Sequence, residues 1–107
     1  MVREILENIA PIEALDKKYG VVSLFLFGSA APHATLTEVR DLDFLVQFQA
    51  MPPVEYAHSY FGFAEDLEAL FNTRVDLVET RMIENPYLLE SIEATKVLLF
   101  GPAPTSL

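Results

Sequence analysis

An almost unbroken apolar run, Val21-Val22-Ser23-Leu24-Phe25-Leu26-Phe27, stops abruptly at Gly28-Ser29, and after the eleven residues 30–40 the chain resumes with Asp41-Leu42-Asp43-Phe44-Leu45-Val46. The first run has one polar residue, Ser23, and reads as a strand buried on both faces. In the second, successive side chains point to opposite faces, so Asp41 and Asp43 share one face while Leu42, Phe44, Val46 and Phe48 share the other. One face is core and the other is reactive. Two carboxylates about 5 Å apart repel by roughly 3 kcal/mol at an effective dielectric near 20, a cost that a divalent cation between them reverses. The pair reads as a Mg²⁺ site. Because Mg²⁺ takes one or two protein carboxylates and fills its octahedron with water and phosphate oxygens, the pair implies a phosphate ligand too.

The rest of such a site can be sought in the chain. Gly28 lets the backbone approach a ligand closely, and Ser29 offers a hydroxyl and nearby N–H groups to phosphate oxygens. A third carboxylate, Asp76, lies in the short β-rich run Arg74-Val75-Asp76-Leu77-Val78. If this strand lies beside the Asp41/Asp43 strand in register, Asp76 joins their face as a third ligand and base. Two metals held by three carboxylates form a clamp on the attacking and leaving oxygens of phosphoryl or nucleotidyl transfer.

Helical spacing organises the remainder. Ile5, Ile9, Ile12, Leu15 or Asp16, and Tyr19 predict an N-terminal helix, kinked or restarted by Pro11 and ended by Gly20. Pro52-Pro53 opens a second helix in which Tyr56, Tyr60, Phe63, Leu67 and Leu70 form one stripe, with Gly62 as a weak point. Asn85 as N-cap and Pro86 at the first helical position start a third helix carrying Leu89 and Ile92, followed by a last strand from Lys96 to Leu99. The simplest way to bury these stripes is a small mixed β-sheet with helices mainly on one face, leaving the other face open for the aspartates. No repeat or linker divides the chain, so residues 1–107 read as one domain with a loose tail at 101–107.

At this point the residues resemble a known family. Strand-Gly-Ser, an eleven-residue gap, Asp-x-Asp and a later strand Asp are similar to the minimal nucleotidyltransferases of the DNA polymerase beta superfamily. The likeness continues through Asn85-Pro86-Tyr87-Leu88-Leu89 to Lys96-Val97-Leu98-Leu99-Phe100. The resemblance implies an α/β nucleotidyltransferase fold, palm-like as in polymerase beta. It also implies ATP as substrate and Mg²⁺, two ions with nucleotide. Gly28 and Ser29 would grip the triphosphate, Asp41 and Asp43 would bind Mg²⁺, and Asp76 would complete the metal site and help deprotonate the acceptor. Small members of this kind are commonly encoded beside an all-helical HEPN protein, an RNase toxin, and act as its antitoxin, in some cases by transferring AMP to a toxin tyrosine.

The chain also departs from that pattern. Family members usually follow Gly-Ser with a basic residue and then Ala-Arg-Gly, whereas here Ala30-Ala31-Pro32-His33 stand. Each lost charge-assisted contact is worth roughly 1.5–3 kcal/mol to a triphosphate. Arg40 is placed to supply a replacement charge, unless it is an ordinary solvated strand-end residue; His33 is likewise a phosphate contact or a bystander. His58 has no ligand-like spacing, and Tyr56 and Tyr60 read as core or interface residues ahead of base-stacking ones.

Composition sets the outer bounds. Zero cysteines remove disulfides, thiolate nucleophiles and thiolate metal sites. A net charge of −9 argues against a nucleic-acid partner and suits a basic protein. No run of 18 apolar residues and no signal-peptide pattern is present, so neither a membrane span nor export is expected and a cytoplasmic location is. A hydrophobic fraction of 51% hints at a partner chain or a homo-oligomer. Three functions fit: transfer of AMP to a hydroxyl of a protein partner; neutralisation of a helical partner by contact alone; and adenylylation of a small molecule, the weakest because an acceptor pocket needs extra chain.

Overall fold

The computed structural model describes residues 2–32 and 41–102. His33, Arg40 and the tail beyond Pro102 lie outside the described residues, as does the side chain of Ser29. The elements run α1 (Arg3–Glu7), α2 (Ile9–Lys18), β1 (Val21–Phe27), β2 (Asp41–Phe48), α3 (Pro53–Phe71), β3 (Arg74–Glu79), α4 (Pro86–Thr95) and β4 (Val97–Phe100), with a 3-10 turn at Gly28–Ala30.

The four strands form one mixed sheet in the order β3-β2-β1-β4. β1 pairs antiparallel with β2 and β4, while β2 and β3 are parallel, as the long crossover through α3 requires. The alternation in β2 sorts as its sequence demands. Leu42, Phe44, Val46 and Phe48 are buried in the main core with Leu24 and Leu26 of β1, Ile5, Ile12, and Phe63 and Leu67 of α3. Asp41, Asp43 and Leu45 fall on the opposite face.

That opposite face is less open than the sequence suggests. Phe25 and Phe27 of β1 and Leu45 of β2 form a second apolar cluster, closed by Ile92 of α4 with Leu88 and Val78 packed against it. A strand apolar on both faces needs cover on both, and α4 provides it next to the aspartates. Asn85 starts α4 as its spacing predicts: its side-chain oxygen accepts the N–H of Tyr87 at 2.8 Å and that of Leu88 at 3.4 Å.

At the N-terminus the helix breaks at Asn8, not at Pro11. Pro11 sits in the first turn of α2, where an N–H has no intrahelical partner to lose. Gly62, an expected weak point in α3, is where Tyr19 packs: a Cβ there would lie 2.7 Å from the Tyr19 ring. The Tyr19 hydroxyl is held by Asp66 at 2.5 Å. Asp16 falls on the apolar stripe of α2 and is fully buried, with neither carboxylate oxygen hydrogen-bonded among the described residues.

Candidate active site

Parallel pairing of β2 with β3 sets Asp43 opposite Asp76 and Asp41 opposite Arg74. Since Asp41 and Asp43 are two apart on one strand, the register that the sequence could only suppose brings all three carboxylates to one face. On the other side of Asp43, β1 pairs Phe27 with it, so the chain enters the Gly28–Ala30 turn directly beside this carboxylate. Gly28 has φ +77°, and a Cβ on it would fall 2.5 Å from Asp43 Oδ2. Only glycine allows this approach.

The turn is tied down from a direction the sequence did not reveal. Gly28 N–H donates to Thr95 Oγ1 at 2.8 Å, and the Thr95 hydroxyl donates to the Ser91 carbonyl at 2.8 Å. The last turn of α4 therefore fixes the glycine, and nothing in the spacing relates residue 95 to residue 28. Pro32, at one of the two positions where a basic residue was looked for, is exposed, while Ala30, at the other, and its neighbour Ala31 are buried in the main core. Their side chains point inward, away from any ligand over the turn.

Asp43 and Asp76, but not Asp41, line a cleft of about 760 Å³ that Gly28, Tyr60, Phe61 and Leu88 also bound. Asp43 is half-buried and its carboxyl is raised above the usual range, first by burial and then by the charges of Asp76 and Asp41. Asp76 is exposed. Asp41 Oδ1 lies 4.0 Å from Arg74 Nε in an exposed pair. Tyr60, on α3, donates its hydroxyl to the Leu77 carbonyl at 2.5 Å, and Tyr56 donates to Glu79 Oε2 at 3.3 Å. Both tyrosines thus brace β3 from behind, the core and interface role expected of them. His58 does not line this cleft; it lies on the outer side of α3 beside Val54 and Phe61.

The donor set suits a hard divalent cation: three carboxylates, with Asp43 carrying like-charge strain that a cation would relieve. Among the described residues, no three such side chains converge as a finished ligand cluster. An ion that engaged all three would compete with Arg74 for Asp41.

A mixed sheet with this helix order, carrying an Asp-x-Asp strand beside a glycine turn, is a nucleotidyltransferase arrangement. The chain belongs to the family described as Polymerase beta, Nucleotidyltransferase, which it matches over residues 7–104. It is 37% identical over 92 residues to "Putative protein adenylyltransferase MJ1379" of Methanocaldococcus jannaschii, covering 86% of this chain and 88% of the relative. A solved structure described as a "putative minimal nucleotidyltransferase" superposes with TM-score 0.68 at 28% identity, over 91% of this chain and 95% of the other. The same fold occurs in the complex of a tri-AMPylated Shewanella oneidensis HEPN toxin with its MNT antitoxin. There the TM-score is 0.63 at 20% identity, over 92% of this chain and 73% of that one. The protein is a nucleotidyltransferase of this minimal type. No helix among the described residues is long and apolar enough to cross a membrane.

Proposed function

We propose that the protein transfers AMP from ATP, with Mg²⁺, to a hydroxyl of a protein partner, an all-helical HEPN-type toxin that it restrains as antitoxin. The observation that carries this reading is the pairing of Asp43 with Asp76 on adjacent parallel strands, beside the glycine turn. The M. jannaschii relative's name supports a protein as acceptor, and the AMPylated toxin held by the S. oneidensis antitoxin supports AMP and the partner class.

Asp41 and Asp43 would hold the ion, with Asp76 completing the set. The bound ion supplies charge neutralisation of the triphosphate and of the departing pyrophosphate. Gly28, lacking a Cβ, lets the Asp43 carboxylate sit against the turn, and Ser29 belongs to the same turn. Asp76, exposed at the edge strand, is the carboxylate an incoming hydroxyl reaches. It accepts the proton as the acceptor oxygen bonds to the α-phosphorus and the bond to pyrophosphate breaks.

A specific observation favours a second reading, restraint of a helical partner by contact alone. The Gly28 N–H is already bound by Thr95, Ala30 and Ala31 face inward, and Arg74 is paired with Asp41. The two readings separate with α-labelled ATP, Mg²⁺ and the purified partner. Transfer predicts a labelled partner band, lost in Asp41→Asn/Asp43→Asn. A partner still silenced by that variant, with no label in either case, establishes contact as the mechanism.

A further inference from the structure

The solvent side of α3 carries large apolar residues among its acids. Val54 is 79% exposed and Phe61 63%, and with Ala57 they form one row at helical spacing. The row lines a shallow hollow of about 580 Å³ formed by α3 alone, in which His58 and Glu65 are interleaved with the apolar side chains. Phe61 also borders a second hollow of about 390 Å³ with Tyr60, Leu77 and Met82, the last 68% exposed. Phe61 reaches the carboxylate cleft as well. Phe61 therefore lines all three hollows, which together run from the first turn of α3 to Asp76.

Charge decides what fits there. Residues 41–73 contain no Lys or Arg, and α3 carries Glu55, Glu65, Asp66 and Glu68. Asp66 is engaged by Tyr19 and by Lys18 at 3.5 Å, whereas Glu55, Glu65 and Glu68 have no ion-pair partner among the described residues. A second copy laid on this face would set these acids against their own kind on a chain of net charge −9. A segment with an apolar ridge and basic flanks satisfies both features at once.

We infer that the outer face of α3 docks a basic amphipathic helix of the acceptor protein, with Phe61 as the central anchor leading towards Asp76. The inference rests on the proposed transfer only for what the docked protein is; the docking itself needs neither nucleotide nor metal. The test uses three labelled helical peptides of equal length, read by fluorescence anisotropy without ATP: leucine with lysine, serine with lysine, and leucine with glutamate. The leucine–lysine peptide is expected to bind at least about tenfold more tightly than either other peptide, and to lose about tenfold with Val54→Ser/Phe61→Ser, which keeps every charge. Glu65→Lys should weaken it as well. Equal binding of the serine–lysine peptide, or no effect of Val54→Ser/Phe61→Ser, would overturn the inference. So would self-association in sedimentation that the same double variant abolishes, because the face would then belong to a second copy. Asp43→Asn should leave peptide binding unchanged, so failure of transfer and failure of docking register separately.

Discussion

A methyl group on Gly28 would lie 2.5 Å from Asp43 Oδ2, on a backbone held at φ +77°. Both the carboxylate and the turn must move to admit it, so Gly28→Ala is expected to abolish label transfer and to cost about 1–2 kcal/mol in urea unfolding. Thr95→Val keeps the shape of the side chain and removes the acceptor of the Gly28 N–H. It should cost about 1 kcal/mol and lower transfer, while partner binding persists in a pull-down. Retention of full activity would show that Thr95 merely packs.

At the scale of the element, two local rules disagree at Gly62. Helix propensity alone favours Gly62→Ala by about 1 kcal/mol. Against this, a Cβ would stand 2.7 Å from a Tyr19 ring whose hydroxyl is anchored to Asp66. Overpacking against an anchored ring costs about 1–3 kcal/mol, so the substitution should lower the urea midpoint. α4 answers to its cap. Asn85→Ala removes the acceptor for two N–H groups and is expected to cost about 1 kcal/mol, read as a loss of protection in hydrogen exchange across Pro86–Thr95.

For the whole molecule the buried Asp16 links stability to pH. Burial, then the charge of Glu13, raises its carboxyl from 3.8 to about 7. The folded state therefore holds a proton that the unfolded chain has already lost, and stability falls as pH rises from about 4 to about 7. Asp16→Asn removes that fall. The variant should be more stable than wild type at pH 8 by about 2 kcal/mol, with the gap closing towards pH 4, in parallel denaturant titrations. A gap independent of pH would exclude proton linkage at this residue.

The sequence by itself determined the strands, the start of α3 and α4, and the candidate residues Gly28, Asp41, Asp43 and Asp76, because alternation, capping and turn chemistry act over a few neighbouring residues. It also contained the need for cover on both faces of β1, although it did not say that α4 would meet it. Only the tertiary structure decided the pairing of Asp43 with Asp76, the bond from Gly28 to Thr95, the inward burial of Ala30, and the contact of Tyr19 with Gly62. Each joins residues distant along the chain. Such contacts follow from strand register and from how helices seat on the sheet, which no local pattern encodes.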